Sequence, residues 1–255
     1  MNLQNKSIPI TAIILTNRND SRFHAALASV QSCQEILVID NNSQNDWEKL
    51  HQQFHFTKIA TAPHPITDFA AARNDTLQFA NQEWVLFLDS DEVLENPQNL
   101  RELLSNIDTT TSGFTVTRQD AFLGTKLKHG EAGKQHITRI CKKSNTTFVG
   151  AVHEVAKIDG VVQKSQIVLS HDSHQSIAAF IVDITTYTDT LTNRKPKWNN
   201  QKLLQMVCYP PLKFIYNYLL KLGFLDGYPG LVYALLMSMH SFWVRVHTYE
   251  KSTTN

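Results

Sequence analysis

Between Glu83 and Glu92 the chain reads Glu-Trp-Val-Leu-Phe-Leu-Asp-Ser-Asp-Glu, an apolar run that gives way to three acids within four positions. Side chains alternate along extended chain, so Asp89 and Asp91 can aim two carboxylates the same way. Carboxylates that close repel one another unless a cation lies between them. Mg²⁺ or Mn²⁺ bound by one or two carboxylates, with substrate phosphates filling the remaining positions, is the ordinary arrangement. The competing expectation is an acidic loop that caps the next helix.

The elements that position these acids follow from pattern. Trp84 to Leu88 reads as a strand buried on both faces, as in the centre of a parallel sheet. Ligands of such sheets sit beyond the carboxyl ends of the strands, where Asp89 and Asp91 emerge. Ile8 to Thr16 is a buried first strand. A helix capped by Asp20 or Ser21 follows, with Phe23, Ala26, Leu27 and Val30 at helical spacing. Ile36 to Ile39 is a second strand, ending at Asp40-Asn41-Asn42-Ser43. Trp47, Leu50 and Phe54 line a helix started by Asn45 or Asp46. Phe56 to Ala60 is a third strand. Pro63 and Pro65 break the chain before a helix opened by Thr67 or Asp68. Strands alternating with short helices specify a mostly parallel α/β sheet covered on both faces.

No glycine occurs before Gly113. A dinucleotide-binding loop or a P-loop needs glycine where backbone approaches phosphate, so neither is present in this half. A nucleotide bound here must be neutralised by side chains and a metal.

Beyond Asp91 the pattern changes. Pro97 to Ile107 is helical, and Gly113 to Arg118 alternates like an exposed strand. Phe122 to Leu127 looks like a hairpin with His136 to Cys141 as its neighbour, and Asp159-Gly160 marks a turn between strands. Ile167 to Leu169 leads into His171-Asp172-Ser173-His174, and a helix follows from Ile177 to Leu191. This is an antiparallel, loop-rich half suited to acceptor recognition. From Tyr209 onward, aromatic and aliphatic residues are interleaved with basic ones. Arg194, Lys195, Lys197, Lys202, Lys213 and Lys221 fall between Asn193 and Lys221 with no acid among them. Such a tail is short and polar for a spanning helix but suits a membrane interface, the alternative being helices that pack on the sheet domain or on a partner subunit. The expected organisation is a catalytic domain over 1–175 (nucleotide half 1–95, acceptor half 96–175) and a helical, membrane-associating region over 176–255.

The formal net charge of +1 over 255 residues argues against nucleic-acid binding. Three scattered cysteines and a polar amino terminus without an apolar signal core indicate a reducing cytosol.

Taken in order, Leu15-Thr16-Asn17, Asp40-Asn41-Asn42-Ser43, Ala72-Arg73-Asn74 and Phe87-Leu88-Asp89-Ser90-Asp91-Glu92 resemble the family-2 inverting glycosyltransferases. Val152-His153-Glu154, the His171 region, Gly223-Phe224-Leu225-Asp226-Gly227 and Gly230-Leu231-Val232-Tyr233-Ala234 narrow the likeness to the bacterial lipopolysaccharide core glucosyltransferases. The resemblance covers nearly the whole chain. It implies a glycosyltransferase A-type fold, a nucleotide-sugar donor such as UDP-glucose, a lipopolysaccharide core or other lipid-linked acceptor, and Mg²⁺ or Mn²⁺. It also implies work at the cytoplasmic face of the inner membrane. The metal would rest on Asp91, with Asp89 reaching metal or ribose and His171 completing the site. Thr16, Asn17, Asp40, Arg73 and Ser90 would line the nucleotide sugar. Glu154 is the leading general base for the single displacement that inversion requires, with Asp172 and Asp120 in reserve. Two positions depart from the family pattern: Arg18 stands where an acid is frequent, and a tryptophan is missing near Gly130 to Gly133. A non-catalytic scaffold of glycan assembly and a sugar nucleotidyltransferase are the alternatives. The nucleotidyltransferase reading lacks the glycine-rich loop it needs.

Overall fold

The computed structural model describes residues 7–60, 66, 68–150, 155–174, 176–192 and 199–253. Glu154, Pro63, Pro65, Thr67, Arg194, Lys195 and Lys197, which figure in the sequence reading, lie outside the described residues. The amino-terminal half follows the expected alternation: β1 (Ile8–Thr16), α1 (Ser21–Ser29), β2 (Cys33–Asp40), α2 (Trp47–Gln53), β3 (Thr57–Ala60), α3 (Phe69–Leu77) and β4 (Trp84–Asp89). The helix starts are set by aspartates. Asp20 accepts from the Arg22 and Phe23 amides, Asp46 from Lys49 and Asp68 from Ala71, each filling donors the first turn leaves open.

There follow β5 (Glu92–Leu94), α4 (Pro97–Ser105), β6 (Thr111–Phe122), β7 (Thr125–Lys126), β8 (Gln135–Lys142), β9 (Thr146–Val149), β10 (Val155–Ile158), β11 (Val161–His174), α5 (Ile177–Thr192), α6 (Asn200–Ile215) and α7 (Gly227–Thr253). The main sheet runs β3-β2-β1-β4-β8-β6-β11-β5, with β7 paired to β6. β2, β1 and β4 are parallel neighbours, with Ile13 opposite both Leu37 and Phe87. β8 joins β4 antiparallel, as β5 joins β11.

Two expectations are revised. The strand through Gly113 to Arg118 is not exposed: Phe114 and Val116 are buried, because β6 lies inside the sheet between β8 and β11. The acids after β4 do not cap a helix, since α4 begins at Pro97 on an Asn96 cap and Glu92 instead opens β5. The Asp159-Gly160 turn does join two strands, but β10 pairs with β9 in a separate two-stranded sheet.

The chain divides into two compact units: residues up to 118 with 136–171, and 119–135 with 172–255. This differs from the division at residue 175, because the hairpin around β7 groups with the helical tail. In the first unit alternate residues of β1 and β4 feed two cores. Ile10, Ala12, Ile14, Leu86 and Leu88 pack with Phe23, Leu27 and Leu100 on one face. Ile13, Val85 and Phe87 pack with Ala70, Leu77 and Phe148 on the other. Each fully buried apolar side chain contributes about 1.5–3 kcal/mol, so β4 is held firmly up to the residue where its acids begin.

The second unit has its own core of Phe122, Leu127, Phe180, Ile184 and Leu236, with Phe122, Phe180 and Tyr233 meeting edge to face. Its hairpin turns at Leu123 and Gly124, both with positive φ, as a tight two-residue turn requires. The segment after it is tied to the break between α6 and α7. The Lys128 and His129 amides donate to Asp226, whose other oxygen lies 2.8 Å from His129 Nδ1. The Glu131 amide donates to Asn217 Oδ1, and the Gly130 amide to the Lys221 carbonyl.

Candidate active site

The carboxyl ends of β1, β2 and β4 carry the residues singled out in the sequence. Thr16 is buried, and its hydroxyl accepts from the Arg18 amide at 3.0 Å; Asn17 is exposed beside it. Asp40 is buried at the end of β2. Its Oδ1 accepts from the amide and hydroxyl of Ser43 (2.9 and 2.6 Å), and Lys58 approaches Oδ2 at 3.1 Å. Asp40 therefore shapes its own loop while keeping a carboxylate at the strand end.

Asp89 is gripped by two arginines. Arg73 of α3 donates to Oδ1 at 2.7 Å, and Arg139 of β8 donates to Oδ2. Arg73 is itself buried and lies over the rings of Phe87 and Phe148, with its central carbon 5.3 and 5.6 Å from their centroids. Asn74 clasps the backbone of Phe148 from both sides, donating to its carbonyl and accepting from its amide at 2.9 and 2.8 Å. Ala72-Arg73-Asn74 thus pins β9 and aims a guanidinium at the end of β4.

Glu92, expected only as the last of the acids, is fully buried. One oxygen accepts from Arg139 at 2.9 Å and the other from the Asp89 amide at 3.1 Å, while Arg118 of β6 stands 3.9 Å away. Burial pushes the Glu92 carboxyl up, against the pull of Arg139. Burial alone would also raise Asp89, but Arg139 and then Arg73 hold it well below the usual carboxylate range. Flanked by Asp89 and Glu92, Arg139 keeps its proton more firmly than a free guanidinium despite burial.

Asp91 faces differently. Its Oδ1 lies 3.6 Å from His171 Nε2 on β11, and its Oδ2 accepts from Arg18 at 2.8 Å. His171 comes beside the acids because β11 pairs with β5, which sets its backbone opposite Glu92. Ser90, between the two aspartates, is buried.

Among the described residues no three or more His, Cys, Asp or Glu side chains converge on one point. Of the expected Asp89, Asp91 and His171, Asp91 and His171 stand together as a pair, while both Asp89 oxygens are held by guanidinium groups. A pair still fits Mg²⁺ or Mn²⁺, which commonly bind one or two protein groups and draw the rest of their shell from phosphates and water. Asp172 and Asp120, the reserve bases, belong to the second unit, and Glu154 lies outside the described residues.

Sequence reasoning missed Arg139, Arg118 and the buried role of Glu92. One signal for Arg139 was available: a lone arginine among Ile137, Thr138, Ile140 and Cys141 puts a charge into a strand otherwise fit for burial, where charges persist only if paired.

The glycosyl transferase family 2 model matches residues 12–154, more than half of the chain. The chain is a family-2 glycosyltransferase. This glycosyltransferase is 21% identical over 253 residues to the lipopolysaccharide core biosynthesis glycosyltransferase LpsC of Rhizobium meliloti (strain 1021), covering 96% of this chain and 93% of LpsC. The mannosyltransferase PcManGT of Pyrobaculum calidifontis, solved with GDP-Man and Mn²⁺, superposes with a TM-score of 0.50 at 12% identity over 98% of this chain and 88% of its own. That likeness concerns the fold: the family-2 glycosyltransferase has the α/β GT-A-like architecture, a mixed, mostly parallel sheet followed by long helices. S. aureus TarS is also similar, with a TM-score of 0.46 and 14% identity over 95% of this chain. The chain spans about half of TarS, 54% of its length.

Proposed function

We propose that this family-2 glycosyltransferase is a metal-dependent, inverting hexosyltransferase that moves a sugar, glucose from UDP-glucose in the first instance, to a lipopolysaccharide core or other lipid-linked glycan. It would work at the cytoplasmic face of the inner membrane. The observation that carries the reading is the Asp91–His171 pair, 3.6 Å apart just beyond the end of β4, with Arg18 on the other Asp91 oxygen. The likeness to LpsC over almost its full length supports the choice of acceptor.

Asp91 and His171 would hold a divalent cation, which when bound would supply positive charge opposite a departing diphosphate. The chain's own residues do the rest. Asp40 at the end of β2 offers an acceptor to the nucleotide base, walled by Thr16 and Asn17. Arg73, fixed by Asp89 and the Phe87 and Phe148 rings, presents a planar guanidinium suited to phosphate. Glu92 and Arg139 hold Asp89 in one orientation, so the strand end keeps its shape as charge develops. Glu154 takes the proton of the attacking hydroxyl, since a single displacement needs one base and no covalent nucleophile.

Nucleotide release from UDP-glucose, with extracted core oligosaccharide as acceptor, tests the reading. The full chain should turn over only with Mg²⁺ or Mn²⁺, and Asp91→Ala should lose activity by about two to four orders of magnitude. Turnover that is indifferent to chelator would sink it.

A further inference from the structure

We propose that Arg18 is a place-holding cation: it neutralises Asp91 while the donor site is empty and gives way when a metal–diphosphate complex arrives, so that Asp91 takes up metal together with nucleotide rather than alone. The inference rests on the reading of Asp91 and His171 as a metal-binding pair.

The geometry points to exchange. Arg18 Nη2 occupies the Asp91 oxygen that does not face His171, at 2.8 Å. The backbone of Arg18 is anchored by Thr16 Oγ1, which accepts from its amide, and by Asn45 Nδ2, which donates to its carbonyl at 2.6 Å. The side chain therefore pivots on a fixed base. Its side chain is the most accessible of the arginine group, 27% exposed against 21% for Arg118, 11% for Arg139 and 3% for Arg73. A second acid stands within reach, shared with Arg22: Asp20 Oδ2 accepts from Arg22 at 2.6 and 3.0 Å and lies 3.7 Å from Arg18 Nη1. Arg18 can release Asp91 without losing every carboxylate neighbour.

Charge decides the order of events. Four guanidinium groups (Arg18, Arg73, Arg118 and Arg139) stand against three carboxylates (Asp89, Asp91 and Glu92) at the end of β4. A bare divalent cation entering this group meets a site already neutralised and competes with a guanidinium for Asp91. A cation arriving with a diphosphate brings its own negative charge, and the displaced guanidinium gains phosphate oxygens as partners. Arg18 is in this sense a specificity device: it discriminates against free metal.

Mn²⁺ uptake by the full chain, followed through the electron paramagnetic resonance signal of free Mn²⁺ without nucleotide and then with UDP or GDP, tests this. Arg18→Ala and Arg18→Gln should each bind nucleotide-free Mn²⁺ about ten-fold more tightly than the parent, as expected for removing a competing charge beside a carboxylate. The gain should vanish when either is combined with Asp91→Asn. Nucleotide should tighten Mn²⁺ binding strongly in the parent and less in both variants. If both variants bind free Mn²⁺ no more tightly than the parent while Asp91→Asn still lowers uptake in the presence of nucleotide, the place-holder is overturned and the metal pair stands. If Asp91→Asn changes uptake under no condition, the metal pair falls and takes the place-holder with it. Circular dichroism of each variant separates these outcomes from misfolding, with Arg18→Gln as the milder change.

Discussion

At the level of single side chains, the end of β4 is a charge network in which each acid has a separate duty. Asp89 and Glu92 share Arg139, and Asp91 pairs separately with His171 and Arg18. Removing Arg139 takes the close cation from the fully buried Glu92, leaving Arg118 at 3.9 Å, and leaves Asp89 with Arg73 alone, so Arg139→Met should cost about 3–5 kcal/mol of stability, read from urea unfolding. The same network fixes a pH dependence. Asp89 is held below its ordinary range, so its stabilisation is complete above its unfolded pKa of about 3.9 and is lost as pH falls toward the folded value. The urea midpoint should therefore fall from about pH 5 downward. Asp89→Asn should remove that part of the slope, and an unchanged slope in the variant would place the acid sensitivity elsewhere.

At the level of elements, β4 does two jobs with its two faces. Leu86 and Leu88 serve one core, while Phe87 serves the other and also underlies Arg73. Phe87→Ala should cost about 3–5 kcal/mol, and Leu86→Ala about 2–5 kcal/mol. Only Phe87→Ala should also weaken nucleotide binding, because it alone removes the ring beneath the guanidinium. Calorimetry with UDP distinguishes the two. The alternation of strands and helices up to Asp89 was legible because each piece carries a local signal: continuous apolar runs for β1, β2 and β4, and Asp20, Asp46 and Asp68 as helix starters. The neighbours of β6 were not legible. Its placement between β8 and β11 depends on pairings far apart in sequence, and alternating burial alone made it look exposed. The site shows the same limit. Asp40, Arg73, Asp89 and Asp91 announce themselves at strand ends or in short motifs, whereas Arg139 reaches Asp89 across fifty positions with only one oddly placed charge to mark it.

At the level of the whole molecule, the second unit exposes Leu204, Val207 and Leu212 on α6, and Leu219 and Leu220 after it next to the exposed Lys221. Among the described residues no single helix is long and apolar enough to cross a membrane, although the segments Gln201–Leu220 and Gly223–Thr253, bent by 71°, pass together by length and composition. Apolar side chains next to basic ones suit a lipid interface. The full chain should sediment with vesicles containing anionic lipid. The double change Leu204→Glu and Leu212→Glu should abolish that while leaving nucleotide binding intact, and undiminished sedimentation would assign these leucines to a protein partner. The bend itself rests on two residues that lack side chains. A Cβ at Gly223 would come within 2.7 Å of the Asn217 carbonyl oxygen, and one at Gly230 would collide with the carbonyl oxygen of Gly223. The elbow is thus locked by main chain meeting main chain. The greasy residues on its outside are free to drift between one aliphatic type and another, whereas a single methyl group on its inside would prise the two arms apart.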